Sequence, residues 1–245
     1  MPSTRPVVLV TGAARRLGAA IARRLHAAGD DLVLHCHASL AEAGALAAEL
    51  EAARPGSTLV LQADLAQFDR LPELVAKAVG RFGRLDALVN NAAAFFPTPF
   101  GTVTPAQWDA LFAANVRAPF FLSQAAAPHL KAARGAILNL SDVYARQPRA
   151  DLSAYATGKG ALEAMTRALA VTLAPEVRVN AIAPGAILWP DGGGDPALQA
   201  AILARTALAR TGTPEEIADT ALWLLRDAVY TTGSVIAVDG GRTPL

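Results

Sequence analysis

Short aliphatic and β-branched runs alternate along this chain with longer stretches whose apolar residues recur at helical spacing. No other feature narrows its fold as much. The spacing predicts strands over 7–11, 31–35, 58–62, 87–90, 135–140, 177–182 and 234–238, and helices over 17–28, 40–53, 71–82, 105–132, 153–174 and 214–225. A repeated strand–helix order closes as a parallel sheet with right-handed crossovers and a helix layer on each face. The expected fold is therefore α/β: a single domain over 1–245 with a doubly wound parallel sheet of about seven strands. Loops at the carboxyl ends of the strands then share one edge, where ligands bind.

Composition removes several classes. The formal net charge is +1 and the basic residues are scattered, so no nucleic-acid partner is expected. Cys36 is the single cysteine, which excludes an intrachain disulfide. Neither a signal-peptide core nor an apolar run of membrane length is present, so the expectation is a soluble, cytoplasmic protein without membrane contact; no metal site is expected. Residues 189–196, "WPDGGGDP", are too rich in glycine and proline for regular structure and read as a mobile flap near the site.

The strand ends carry the polar and small residues. After the first strand comes "TGAARRLG", in which Gly12 and Gly18 would turn backbone N–H groups and a helix N-terminus toward a pyrophosphate, while Arg16 occupies the place of the usual middle glycine. A tight strand-to-helix turn would also select those glycines on steric grounds alone. Asp64 and Leu65 follow the third strand, where the carboxylate either accepts from an adenine amino group or caps a helix. Asn91, Ala92 and Ala93 follow the fourth strand with side chains small enough for close approach of a cofactor. Asn115 is a polar amide in an otherwise apolar helix, and Pro184-Gly185 forms a turn after the sixth strand. All fall on one edge.

In "SAYATGKGALEAMTRALA", Tyr155 and Lys159 lie four apart on one helix face, although only three tyrosines and three lysines occur in the chain. An adjacent ammonium favours phenolate, so the pair would make a proton donor usable near neutrality. It stands behind a strand ending in Asn139-Leu140-Ser141-Asp142.

With "ADL", "NNAA", "YATGK", "VRVNAIAPG" and "VDGG", these motifs make the chain resemble a short-chain dehydrogenase/reductase from end to end. The resemblance implies a Rossmann-type fold and a nicotinamide cofactor. It also implies that Tyr155 supplies the proton, Lys159 lowers its pKa and holds the nicotinamide ribose, and Asn115 supports a relay water. The family's serine stands thirteen residues before the tyrosine; here Asp142 occupies that place. The alternative is a catalytic Ser141, with Asp142 capping a turn.

Arg16, Asp142, "LHCHAS" and "NNAAAFFPTP" together resemble the pteridine reductase and dihydromonapterin reductase branch. That branch implies a pterin or folate-type substrate, with Arg16 clamping phosphate and pterin, Phe95 stacking on the ring, and Asp142, Tyr155, Ile187 and Trp189 completing the substrate site. No carboxylate ends the second strand; His35, His37 and Ser39 stand there and Arg15 lies within reach, which favours NADPH over NADH. The cofactor set expected is thus Gly12, Arg15, Arg16, Leu17, Gly18, His35, His37, Ser39, Asp64, Leu65, Asn91, Ala92, Ala93, Tyr155, Lys159, Pro184 and Gly185. A generic carbonyl reductase of the 3-oxoacyl type and an inactive NADP-binding sensor are the other readings. Family analogy adds a homotetramer.

Overall fold

The computed structural model of the chain describes residues 3–189 and 193–242. Its seven strands are β1 (Val7–Val10), β2 (Asp31–Cys36), β3 (Thr58–Gln62), β4 (Ala87–Asn90), β5 (Ala136–Leu140), β6 (Arg178–Pro184) and β7 (Val235–Val238). Eight α-helices accompany them among the described residues: α1 (Arg16–Ala27), α2 (Leu40–Ala53), α3 (Leu71–Phe82), α4 (Pro105–Phe112), α5 (Ala118–Ala133), α6 (Ser153–Leu173), α7 (Pro196–Ala204) and α8 (Pro214–Arg226).

The sheet is wholly parallel, in the order β3-β2-β1-β4-β5-β6-β7. Strands such as β1, "VVLV", and β5, "AILNL", are buried at every position, as expected where helices cover both faces. One core layer joins Ile21 and Leu25 of α1 to Ile217 and Leu224 of α8, and the other joins Leu74 and Ala78 of α3 to Leu122 and Leu130 of α5. The chain winds outward in opposite directions from β1 and β4, so a crevice opens at their carboxyl ends.

Two differences from the sequence expectation matter. The helix expected over 105–132 is two helices, joined by a π-type turn over Ala113–Arg117. Within it the Asn115 side chain donates to the Leu111 carbonyl at 3.0 Å, the acceptor that a regular turn reserves for its backbone N–H. The stretch expected to be irregular gives way to α7 at Pro196, where Asp195 accepts from the N–H of Ala197 and proline fills the first helical position. The flap expectation falls partly on residues 190–192, which lie outside the described residues. None of the described helices is long and apolar enough to cross a membrane.

Candidate active site

The glycine loop is fixed by side chains from two neighbouring strands. Gly12 has φ 62, and its N–H donates to His35 Nδ1 at 3.2 Å. Asn91 Nδ2 donates to the carbonyls of Thr11 and Gly12 at 2.8 and 3.0 Å. A Cβ on Gly18 would stand 2.2 Å from the Gly12 oxygen, so only glycine lets α1 pack this close to the turn. Arg16 has φ 52, a left-handed conformation that costs a non-glycine residue about 1–2 kcal/mol. Its guanidinium reaches across the crevice and donates to the carbonyls of Leu188 and Trp189 at 3.2 and 3.3 Å.

Around β2 one expectation is corrected. His35 is buried, with Nδ1 accepting from Gly12 and Nε2 3.1 Å from the Ala63 carbonyl. Both nitrogens are thereby used, the ring is the neutral Nε2–H tautomer, and burial holds its pKa below the ordinary value. His35 braces the glycine loop and offers no charge to a phosphate. His37 and Arg15 remain exposed on the rim with Ser39 beside them, and Arg15 lies 3.9 Å from Glu42.

The end of β5 separates Ser141 from Asp142. Ser141 Oγ donates to Glu163 Oε1 at 3.2 Å, tying the loop to α6, where Arg146 also meets Glu163. Asp142 faces the crevice: its Oδ1 accepts from the N–H of Tyr144, and its Oδ2 accepts from the Tyr155 hydroxyl at 2.9 Å. Lys159 donates to the Leu140 carbonyl at 2.7 Å, and its Nζ stands 5.7 Å from the Tyr155 ring centroid. A buried chain from Asn90 to Asn139 to Thr166, with links of 2.9 and 2.8 Å, locks α6 against β4 and β5 and so sets the height of Tyr155.

The electrostatics differ from the simple tyrosine–lysine picture. Burial, reinforced by Asp142, pushes the Tyr155 phenol well above its ordinary value. Burial also raises the Asp142 carboxyl, against the pull of Lys159, and brings the Lys159 ammonium down to about 8. Tyr155 is thus held protonated near neutrality, hydrogen-bonded to a carboxyl group that itself gains protons more readily than usual.

Two connected cavities follow the crevice. The first, of 680 Å³, is lined by Gly12, Arg15, Leu17, Gly18, His35, His37, Ser39, Asp64, Leu65, Asn91, Ala92 and Ala93, all from the expected cofactor set. The second, of 820 Å³, contains Phe95, Asp142, Tyr155, Lys159, Pro184, Gly185, Ile187 and Trp189, and Arg16 borders both. Phe95 meets Tyr155 edge to face at 4.8 Å and 88°. Asn115 lines neither cavity. It is buried behind them, donating to the Ala94 carbonyl at 2.9 Å, and its Oδ1 has no hydrogen-bond partner among the described residues.

A family model described as enoyl-(acyl carrier protein) reductase matches residues 12–243. The chain belongs to the short-chain dehydrogenase/reductase family. Among its relatives in this family are pteridine reductase 1 of Leishmania tarentolae, 36% identical and covering 97% of this chain and 96% of the relative. The granaticin polyketide synthase putative ketoacyl reductase 2 of Streptomyces violaceoruber is 37% identical, covering 96% and 95%. L-xylulose reductase of Bos taurus is 38% identical, covering 95% and 94%.

Short-chain dehydrogenase/reductases use NAD(P)H, and the residues present fit such a dinucleotide. A Cβ on Gly12 would come within 3.0 Å of Ala92 Cα, so only glycine lets the turn after β1 approach the segment after β4 this closely where both line the first cavity. The second cavity also contains residues absent from the sequence reading: Tyr144, Arg149, Leu198, Ile202 and Arg242. The Asp195-Pro196 start signal before "ALQAAILA" could have revealed α7 and with it Leu198 and Ile202. Nothing local in the sequence links the arginines to the site, because they come from widely separated segments.

Proposed function

We propose that the protein is an NADPH-dependent pterin reductase that converts a dihydropterin, or a dihydrofolate, to its tetrahydro form. The observation that carries this reading is the Asp142–Tyr155 hydrogen bond of 2.9 Å, facing a cavity bordered by Arg16 and Phe95. When bound, the reduced nicotinamide supplies a hydride to the carbon of the substrate's C=N bond. The protein's part is the proton. Tyr155 donates its hydroxyl proton toward the ring nitrogen, and Asp142 replenishes it or accepts from the pterin amino group. Lys159 contributes positive charge beneath them, and Arg16 and Phe95 orient the flat ring. A homotetramer in the cytoplasm completes the reading; exposed Phe120 and Phe121 on α5 support an apolar contact face.

The choice of NADPH rests on the rim of β2, where Arg15, His37 and Ser39 offer donors to a 2′-phosphate. Arg15→Ala is expected to lower the NADPH-over-NADH ratio in kcat/KM by about tenfold, the scale of one exposed charge-assisted bond. A wild-type protein equally active with both cofactors would remove this part of the proposal.

Arg16→Gly tests the substrate. Glycine adopts φ 52 freely, so thermal stability should be kept or slightly raised, whereas pterin kcat/KM should fall by about one to two decades with the loss of charged donors. Asp142→Ser gives a similar loss, and the double variant should retain its fold without dihydropterin activity. Dihydrobiopterin and a small 3-oxoacyl thioester are compared in all four proteins. Thioester reduction by the wild type without pterin reduction replaces this assignment with a carbonyl reductase.

A further inference from the structure

The second cavity does not end at the reacting groups. It continues into a side chamber of 330 Å³ closed by α7 and the segment after β5, and Tyr144, Arg149, Leu198, Ile202 and Arg242 line both spaces. The chamber adds Arg205 at the end of α7, which brings three arginines to its wall; no carboxylate is among the described residues lining it. Tyr144 is buried between two of them, with the Arg149 and Arg242 guanidinium carbons 5.9 and 5.0 Å from its ring centroid. Arg149 is neutralised by Asp151 through bonds of 2.5 and 2.8 Å. No salt bridge within 4 Å joins Arg205, which is exposed, or Arg242 to a carboxylate among the described residues, and the carboxyl group that responds to Arg242 is Asp142 in the adjoining cavity.

Gathering guanidinium groups in one concavity is electrostatically unfavourable unless an anion enters it. Leu198, Ala201 and Ile202 add an apolar wall, of which Ile202 is buried, beside the arginines. We propose that this chamber is an anion-binding arm of the substrate cleft, engaging a carboxylate or phosphate on the part of the substrate that projects away from Tyr155. The inference rests on the proposed function only in placing the reacting group beside Tyr155, and it adds what the distal end of the substrate carries. Arg205 and Arg242 bind the anion, while Tyr144 and Arg149 shape the passage to it.

Two matched pairs test this on the wild type and on Arg205→Gln combined with Arg242→Gln. Dihydrofolate is compared with dihydrobiopterin, which lacks the carboxylate tail, and acetoacetyl-coenzyme A with the N-acetylcysteamine thioester, which lacks the phosphates. Affinity for the NADP⁺-loaded protein is read by calorimetry, and kcat/KM with NADPH wherever turnover occurs. In at least one pair the anionic member is expected to be favoured about tenfold, and the double change should bring that ratio to within about twofold of unity. The pair that responds distinguishes a carboxylate tail from a phosphate. Ratios near unity in both pairs, a preference that survives the double change, equal losses for both members of a pair, or no binding of any of the four overturn the inference. The pterin reading fails separately, when only the thioester pair is bound and turned over while its ratio still collapses in the variant.

Discussion

Tyr155→Phe is expected to lower kcat/KM for the preferred substrate by about 10³-fold while leaving the dissociation constant for NADPH within about threefold of wild type. The ring of Tyr155 is buried and packs edge to face with Phe95 at 4.8 Å, and phenylalanine preserves that packing. Only the hydroxyl is removed, and with it the donor 2.9 Å from Asp142 Oδ2. Asp142 keeps its bond from the Tyr144 N–H, so the loop after β5 should stay in place. The raised phenol pKa adds a second readout. Tyr155 does not ionise across an ordinary assay range, so an alkaline limb in the wild-type profile reports Lys159, which loses its proton near 8. Reduction is therefore expected to slow as pH rises through that value. Retention of most of the wild-type rate in Tyr155→Phe would take the hydroxyl out of the mechanism.

The sheet was readable because its signals are local. Four-residue runs such as Val7–Val10 have no stable alternative to burial between helix layers, and the predicted strand ends lie within two residues of those observed. The strand-end positions lining the two cavities were readable for a related reason: a parallel sheet places every strand's carboxyl end on one edge, so proximity follows from topology. What escaped was set by partners distant in sequence. His35 looks like a ligand at a strand end, yet Gly12 and Ala63 use both its nitrogens. The π-type turn depends on the Asn115 amide reaching both Leu111 and Ala94, which no helical periodicity records. Ser141 is engaged by Glu163 from α6, a partner 22 residues away that the residues around the serine do not announce. Arg149 and Arg242 meet around Tyr144 from segments far apart in the chain, and Arg205 joins them from the end of α7.

Lys159→Met should separate stability from activity more sharply than any other single change. Burial brings the ammonium from its ordinary 10.5 down to about 8, so near neutrality the folded protein holds a charge that the unfolded chain carries more comfortably. That difference is about 3 kcal/mol below pH 8, and it disappears as pH rises from 8 to 10.5, where the unfolded chain binds the proton and the folded protein does not. The lysine returns part of the cost by donating to the Leu140 carbonyl at 2.7 Å, and an unpaired buried carbonyl costs about 1–3 kcal/mol. Methionine fills the same volume without charge. Cofactor-free Lys159→Met is therefore expected to match or exceed wild-type stability at pH 7, with its advantage shrinking by about 2 kcal/mol by pH 9.5. Activity moves the other way. Without the cation, Asp142 rises further, the developing negative charge loses its nearest positive partner, and kcat/KM is expected to fall by about 10²–10⁴-fold. Denaturant unfolding at both pH values, paired with steady-state kinetics, reads both sides. An advantage that does not change with pH would mean that Lys159 titrates normally, and a variant that keeps its rate would place the catalytic charge elsewhere. The expected combination, a folded and stable protein without turnover, would show that the buried ammonium is retained for chemistry at the expense of the fold.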